Sequence, residues 1–440
     1  MEMERSDRLT VEELRDVWLA LSLDERREGF NILPKSEAED FFLALPARDM
    51  SELIFVLPPD ERRSWLRLAP PDDVADLIQK SPSEQRDHLL GLLDATTRQE
   101  VAGLLAYRED EAGGLMNPRY ARVRPNMTVD EAISYLRKQA RAHLETIYYV
   151  YVIDEQQRLV GVVSLKQLFA AQSEKTVHEV MRNDVVSVGE HLDQEAVGRL
   201  FAQHDLLAIP VIDAEGRMKG LVTVDDIVDV VQEEATEDIQ KFGGMEALDA
   251  PYLNIAFGRM VRKRAGWLSA LFLGEMLTAT AMAYFEAQIA RALVLVLFLP
   301  LIMSSGGNSG SQASTLVIRA MALGEVKVRD WWRVVRREIA AGLALGSVLG
   351  VIGFLRIVIW QSVSPIYGEH YVLVAFTIGL SLIGVVSFGT IAGSFLPFLL
   401  RRLGFDPASA SAAFVATLVD VTALVIYFGV AALILKGTLL

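Results

Sequence analysis

Apolar positions follow two patterns that divide the chain. Before residue 264 they form short stripes among polar residues, whereas five long apolar stretches follow, at 265–285, 290–306, 338–360, 371–400 and 408–435. A helix needs about 20 residues to cross the hydrocarbon core of a membrane. The pattern therefore predicts a polar region followed by five membrane spans, of which the second is the weakest because it runs into SSGGNSGSQAS.

Basic residues around the five stretches predict their orientation. Four precede the first stretch from Arg259 on, several lie between the second and third, and Arg401 and Arg402 separate the fourth from the fifth. The other two loops contain almost no positive charge, apart from Arg291. Because Lys and Arg accumulate on the cytoplasmic side, we expect a cytoplasmic N-terminus and an external C-terminus.

The polar region opens with short helical patterns that restart about every twelve residues. LPKSEAEDFFLAL, LPPDERRSWLRL, APPDDVADLIQK and SPSEQRDHLLGLL each begin with Pro or Ser and acids, then show an apolar stripe. These are typical helix starts. We expect a stack of short helices.

An internal duplication follows. TVDEAISYLRKQ at 128–139 resembles LDQEAVGRLFAQ at 192–203, and VIDEQQRLVGVVSLKQL at 152–168 resembles VIDAEGRMKGLVTVDDI at 211–227. Each copy predicts a helix, a strand, a tight turn, a Gly-containing strand and a second helix. The pair resembles tandem cystathionine-β-synthase (CBS) domains, a regulatory module rather than an enzyme.

CBS pairs often bind adenine nucleotides through a Ser/Thr-x-x-Asp sequence at the last helix. The second copy has this sequence as Thr223 and Asp226, but the first has Ser164 and Gln167. Loss of a charged acceptor for a ribose hydroxyl costs roughly 1–3 kcal/mol. ATP as a ligand is therefore left open at this point.

Charge separates the two regions as sharply as hydropathy does. The net charge is −21 over residues 1–250 and +7 over residues 251–440. Strong negative charge argues against a nucleic-acid partner and favours counter-cations. The chain has no cysteine for disulfide or thiolate chemistry, and its six histidines are scattered without a nucleophile–base spacing. We therefore expect no enzymatic activity.

Acids are densest directly after the second CBS copy. Asp226, Asp229, Glu233 or Glu234, and Glu237 recur about every three to four residues. Like charges at helical spacing destabilise a helix unless cations screen them. The pattern indicates either a solvated helix face or an ion-binding one, and its place beside the membrane region favours ion binding.

Two acids lie inside predicted spans, Glu275 and Asp420. Intramembrane carboxylates are costly and usually functional. Small residues at Ser409, Ala413 and Ala416 share the face of Asp420 and would let two such helices approach closely. A symmetric dimer would then bring two Asp420 carboxylates together around a divalent cation. The alternative is a structural Asp420 bonded to a neighbouring Thr or Asn.

Asp406 precedes Pro407 and is predicted to cap the start of the last span. It lies 14 residues before Asp420, about 21 Å along a continuous helix. Both carboxylates would then line one pathway, although capping alone also explains Asp406.

These features together resemble the MgtE magnesium transporter/channel family over essentially the whole chain. The most specific strings are GGNSGSQASTLVIRA at 306–320 and VATLVDVTALVIYF at 415–428; EDEAGGLM at 109–116, EATEDI at 234–239 and DPA at 406–408 add to them. The resemblance implies a homodimer in the bacterial inner membrane with a pore on its twofold axis. Asp420 would hold a hydrated Mg²⁺, Ala416 would offer its carbonyl, and Asp406 would lie near the cytoplasmic mouth.

The resemblance also implies closure of the pore when cytosolic Mg²⁺ is high. Regulatory ions would bridge the N domain, the CBS pair and a connecting helix, here called the plug helix. Every matching position carries a carboxylate, although Asp40 stands where the family usually has Glu. The implied ligands are Asp40, Asp72, Asp76, Glu195, Asp205, Asp226, Asp229, Glu234, Glu237 and Asp238.

The predicted fold class is a multidomain membrane protein with an all-α helical N domain, α+β tandem CBS domains and a five-helix transmembrane domain. The predicted domains are 1–115, 116–172 and 173–233, the plug helix at 234–258 and the pore domain at 259–440. Two alternatives to Mg²⁺ uptake are a broader divalent cation (Co²⁺/Mn²⁺) transporter and a CBS nucleotide sensor that transports nothing. The sensor would need an intact nucleotide motif in both copies and no mid-membrane acid.

Overall fold

The computed structural model describes residues 10–140, 144–250, 252 and 254–439. It divides into two compact units, Met1–Gln232 and Glu233–Leu440. The first contains short helices and two small sheets, and the second contains the long apolar helices.

Short helices form the start of the first unit, as the twelve-residue pattern predicts. Five of them each follow a proline whose φ lies near −55°, as at Pro34 and Pro46; the ring fixes this angle before the first turn. Their apolar faces share one core with second-copy residues such as Phe201. The helices are α1 Val11–Val17, α2 Leu23–Ile32, α3 Lys35–Leu43, α4 Ala47–Val56, α5 Pro59–Leu66, α6 Pro71–Lys80, α7 Ser83–Leu92, α8 Ala95–Leu104 and α9 Ala112–Leu115.

The duplicated sequence forms two copies of one small α+β unit. In each three-stranded sheet, the first strand pairs in parallel with the second, which pairs antiparallel with the third. Both hairpins are irregular at the matching position, between Val152 and Ile153 and between Val211 and Ile212. The first copy contains β1 Arg122–Val123, α10 Val129–Gln139, β2 Tyr149–Ile153, β3 Leu159–Ser164, α11 Leu165–Ala170 and α12 Val177–Val180. The second contains β4 Val188–Gly189, α13 Gln194–His204, β5 Ala208–Ile212, β6 Met218–Thr223 and α14 Val224–Phe242.

Among the described residues, five helical segments of the second unit are long and apolar enough to cross a membrane: Phe257–Tyr284, Leu293–Ala322, Val328–Val363, Tyr371–Arg402 and Ala412–Ile434. Tyr371–Arg402 is central, with half of its most apolar window buried, whereas only 6% of the window of Phe257–Tyr284 is buried. The α-helices are α15 Phe257–Tyr284, α16 Glu286–Arg291, α17 Leu299–Ala322, α18 Trp331–Val363, α19 Tyr371–Arg402 and α20 Ala412–Ile434, with 3-10 turns at Leu293–Phe298, Val328–Asp330 and Pro407–Ser409.

The second span differs from its predicted bounds. The apolar stretch was expected to end at residue 306, but α17 continues through the Gly-rich segment to Ala322. Glycine disfavours a helix by about 1 kcal/mol per residue in water, whereas a membrane requires backbone hydrogen bonds to be made within the helix. The glycines also allow close packing: a Cβ on Gly393 of α19 would lie 2.0 Å from the carbonyl oxygen of Gly310.

Two predicted helix ends are also wrong. Asp406 caps the separate turn Pro407–Ser409, and Ser411 caps α20 by accepting from the amide of Phe414. The predicted plug helix at 234–258 is the second half of α14 and ends at Phe242, because Gly244 adopts a φ of +75°. Left-handed backbone of this kind ends helices.

Candidate functional site

Polar and apolar residues of α15, α17 and α20 surround a cavity of about 630 Å³ beside Asp420. Ser304, Gly307, Asn308 and Ser311 line it from α17. Ala416 and Asp420 line it from α20. The Gly-rich string therefore supplies the polar wall of the cavity, opposite the intramembrane acid.

In the part of the chain that the structure describes, Asp420 lacks the hydrogen bond to a Thr or Asn that the alternative interpretation requires. Within the described residues, no hydrogen bond joins its carboxylate to a Thr or Asn side chain, and no basic group lies within 4.0 Å. Its carboxyl group interacts instead with the Glu275 carboxyl group on α15. Glu275 in turn accepts a hydrogen bond from the Thr417 hydroxyl at 3.2 Å. Two acids without a protein cation thus lie together beside the cavity.

The start of α20 is held by two serines of the same string. Ser314 donates to the carbonyl oxygen of Ala410 at 2.9 Å, and Ser311 donates to that of Ala412 at 3.2 Å. A Cβ on Gly307 would lie 3.4 Å from the Cβ of Ala416, in ordinary contact. These contacts set the position of Ala416 and Asp420 relative to α17.

Asp406 lies at the other end of this region, with a basic partner. One carboxylate oxygen accepts from the amide of Ala408 at 2.8 Å, and the other accepts from the Lys241 ammonium at 2.6 Å. Lys241 also pairs with Glu237, one turn earlier on α14. The sequence analysis missed Lys241, since a single lysine in an acidic helix carries no distinctive pattern.

A separate group of acids lies within the first unit, where α6 faces the second CBS copy and residue 145. Burial is the main cause that raises their pKa values, and their mutual repulsion adds to it. The pKa of Asp73 rises to about 7, as do those of Asp76 and Glu145. The pKa of Asp226 rises to about 6, and that of Asp72 rises well above its usual range.

Asn117 links two of these acids. Its side-chain amide donates to Asp72 at 3.0 Å and to Glu145 at 2.7 Å, and only 1% of the residue is exposed. Its backbone pairs with Leu221 of β6 in both directions. The structure thus brings together three predicted ligands, Asp72, Asp76 and Asp226, and adds Asp73, Glu145 and Asn117. Nothing in the sequence around residues 117 and 145 indicates this grouping.

The other predicted regulatory ligands are placed differently. Within the described residues, no hydrogen bond or ion pair joins Asp40, Asp205 or Glu195 to this group; Glu195 instead pairs with Arg199 at 2.8 Å. Asp229 is exposed, and its charge acts on Asp73 and Asp226. Glu234, Glu237 and Asp238 lie on the second half of α14, which belongs to the second unit.

These acids supply the oxygen donors of a Mg²⁺ site, but the described side chains do not form a complete coordination shell. Carboxylate oxygens are the ligands that Mg²⁺ prefers, and the ion usually keeps several waters. In the described part of the chain, no three Asp, Glu or His side chains converge closely enough to hold a bare ion.

The predicted nucleotide residues contact each other. The Thr223 hydroxyl donates to Asp226 at 2.6 Å, and in the first copy Gln167 forms a capping box with Ser164 instead. ATP binding at this position stays a prediction.

Three family models match the chain. One described as "Divalent cation transporter" covers residues 299–430, one described as "MgtE intracellular N domain" covers 9–110, and one described as "CBS domain" covers 112–174 and 177–233.

Curated relatives extend over most of the sequence. A magnesium transporter MgtE of Thermus thermophilus is 44% identical over 349 residues, which are 79% of this chain and 75% of the relative. The chain belongs to the MgtE family. A Bacillus subtilis MgtE is 34% identical over 78% of this chain and 73% of its own. The predicted family and fold class are therefore confirmed, and both of these relatives are named as magnesium transporters.

Solved structures of soluble regions of magnesium transport proteins are also similar. One is described as the cytosolic domain of the Mg²⁺ channel MgtE in complex with ATP; it is 42% identical, with a TM-score of 0.48, and the match covers 51% of this chain and 91% of that one. Another, the soluble part of a magnesium transporter, is 30% identical over 51% of this chain and 93% of its own, with a TM-score of 0.41.

Proposed function

We propose that this member of the MgtE family is a Mg²⁺-selective channel that mediates Mg²⁺ uptake across the bacterial inner membrane. The observation that carries the proposal is Asp420, a mid-span carboxylate that lines a polar-walled cavity. Mg²⁺ dehydrates reluctantly, and a site sized for the hydrated ion can bind it through its water shell. Asp420 and the carbonyl of Ala416 would bind that shell, and Asp406 would lie at the cytoplasmic mouth.

The face of α17 that carries Ser304 and Asn308 supports a homodimer. Ser304, Asn308 and Thr315 are exposed on it although they lie within a span. Polar side chains inside a membrane are normally turned to protein or to a water-filled cavity rather than to lipid. A second copy across a twofold axis would cover this face and enclose the pathway between the two Asp420 side chains, with the N-terminus in the cytoplasm and the C-terminus outside.

The pore assignment is tested with Asp420→Asn, which removes one charge from the cavity. We expect it to abolish Mg²⁺-dependent growth rescue of a strain that lacks Mg²⁺ uptake, and Mg²⁺ flux into liposomes. Glu369→Gln is the matched control, since Glu369 is exposed in the loop before α19. Normal rescue by Asp420→Asn would defeat the assignment. Co²⁺ and Mn²⁺ flux through the wild-type protein would distinguish the broader divalent transporter from a Mg²⁺-selective one.

We also propose that cytosolic Mg²⁺ closes the channel through the acids. Without ions, burial and, to a smaller extent, mutual repulsion disfavour the charged carboxylates of Asp72, Asp73, Asp76 and Asp226 and raise their pKa values. A ligand shifts a conformational equilibrium by its differential affinity for the two states. Mg²⁺ would favour the compact state, with the plug-helix acids Glu234, Glu237 and Asp238 as further ligands.

Gating is tested with the triple variant Glu234→Gln, Glu237→Gln and Asp238→Asn. We expect Mg²⁺ flux to continue at millimolar cytosolic Mg²⁺, where the wild-type channel closes. Unchanged closure would refute a role of these acids. If Asp420→Asn abolishes flux but the triple variant still closes normally, the pore assignment stands and the proposed sensor role of these acids is wrong.

A further inference from the structure

The end of α14 is attached to the spanning helices at the carboxylate of Asp406. Lys241, in the last turn of α14, donates to Asp406 at 2.6 Å. In the described part of the chain, it is the only basic side chain within 4.0 Å of that carboxylate. The second carboxylate oxygen accepts from the amide of Ala408 at 2.8 Å. Both oxygens of Asp406 are therefore engaged by donors of the protein.

Lys241 is a full ammonium ion in this position. Its hydrogen bond to Asp406 and its ion pair with Glu237 place two carboxylates beside the ammonium, which favours the charged form. The ammonium neutralises Asp406, and Glu237 keeps the pair of acids at a net negative charge.

The backbone after Lys241 holds the ammonium at this place. Gly244 is buried, and a Cβ on it would lie 2.9 Å from the Trp267 indole and 3.5 Å from the Cβ of Ala413. Four residues further on, the amide of Leu248 donates to the Gln240 side chain at 2.6 Å. The turn that follows α14 thus packs on α15 and α20. This packing restricts the Lys241 side chain to positions near Asp406.

An ammonium and a hydrated divalent ion compete for the same carboxylate oxygen. The side chains of Lys241 and Asp406 are 27% and 35% exposed, and ion pairs with that much exposure contribute little net stability. A mobile cation can therefore displace the lysine. An ion pair that served only to stabilise the fold would be expected to be more deeply buried.

We propose that Lys241 is a tethered cation that occupies the Asp406 carboxylate in this arrangement and so controls the access of mobile divalent cations to it. The inference rests on the proposed function, in that Asp406 must lie on the ion pathway. Movement of the end of α14 away from α20 would withdraw the ammonium and expose the carboxylate. Docking of α14 would close the same site without any further ligand.

The test measures divalent binding to the full-length protein in nanodiscs, with Mn²⁺ as the paramagnetic probe, and Mg²⁺ flux in liposomes. Removal of a neighbouring positive charge tightens divalent binding by about tenfold at such distances in a largely aqueous environment. We expect Lys241→Gln to bind Mn²⁺ about tenfold more tightly at one site. We also expect a higher Mg²⁺ flux than in the wild type when the Mg²⁺ concentration on the Asp406 side of the membrane is low. Lys241→Arg should retain the wild-type values.

Three controls make the outcome decisive. In an Asp406→Asn background, Lys241→Gln should change nothing; an equal effect in that background would overturn the proposal, because the lysine would then act elsewhere. Lys436→Gln removes the same charge from the C-terminal turn and should behave as wild type. If Lys241→Gln does not fold, Lys241→Met is used with the same expectations.

Failure of this inference is separable from failure of the proposed function. Wild-type flux that depends on Asp420, together with Mn²⁺ binding that is the same in Lys241→Gln and the wild type, would overturn only the role of Lys241. Absence of Mg²⁺ flux through the wild-type protein would instead overturn the proposed channel.

Discussion

At the scale of single residues, two buried acids of the first unit share one hydrogen-bond donor, the side-chain amide of Asn117. Asn117 donates both of its side-chain protons to carboxylates, one to Asp72 and one to Glu145. Those acids are buried enough for their pKa values to rise. A buried acceptor that loses its donor costs roughly 1–3 kcal/mol. Asn117 is thus a stabilising link between α6 and the first CBS copy rather than an ion ligand.

We expect Asn117→Ala to lower the free energy of local unfolding around α6 by roughly 1–3 kcal/mol. Asn117→Asp should cost more at pH 8, since it adds a third carboxylate, and added Mg²⁺ should recover part of that loss. Hydrogen exchange of α6 peptides in the full-length protein measures both effects. Asn31→Ala, at an exposed position of α2, is the matched control. Equal protection in all variants would contradict the link.

At the scale of elements, the contact of α17 with α19 explains why a Gly-rich string forms a span. A Cβ on Gly310 would lie 2.9 Å from the carbonyl oxygen of Gly389, and one on Gly393 only 2.0 Å from that of Gly310. Small residues let spanning helices approach to backbone contact. This close approach brings Ser311 and Ser314 within reach of the carbonyls at the start of α20.

Gly393→Ala should therefore push α17 away from α19. Overpacking of this kind typically costs about 1–3 kcal/mol, and we expect a lower midpoint of thermal unfolding in detergent together with reduced Mg²⁺ flux. Gly429→Ala is the matched control on α20, because a Cβ there meets nothing within 4 Å. A Gly393→Ala protein as stable as the Gly429→Ala protein would show that the helices do not pack this closely.

At the scale of the whole molecule, acidity concentrated in the first unit makes the compactness of that unit depend on protons and on cations. Asp73, Asp76 and Glu145 have pKa values of about 7, whereas an unfolded chain has its acids near 4. Groups with raised pKa values in the folded state contribute stability that is fully present below the unfolded pKa and is lost as the pH rises through the folded one. Stability of this region should therefore fall between pH 4 and pH 7–8.

We expect α6 of the full-length protein in EDTA to exchange more slowly at pH 6 than at pH 8, after correction for intrinsic exchange rates. Mg²⁺ at pH 8 should restore protection, because it replaces the protons as the neutralising charge. Asp73→Asn should flatten the pH dependence, since it removes one of the titrating groups. Protection that increases with pH in EDTA would have the wrong sign for this account.

The sequence by itself determined the features that rest on local pattern. Hydropathy located five spans, proline spacing located the short helices, and the duplicated strings located the two CBS copies, because each depends on neighbours along the chain. It also identified Asp420, since an acid within an apolar stretch needs no partner to be noticed.

Only the tertiary structure decided which distant residues meet. It grouped Asp73 and Glu145 with the predicted ligands, joined Lys241 to Asp406 across 165 positions of sequence, and showed that glycines of α17 serve a helix contact. Burial and partner identity create these features, and both depend on how segments pack, which the order of residues along one segment does not reveal.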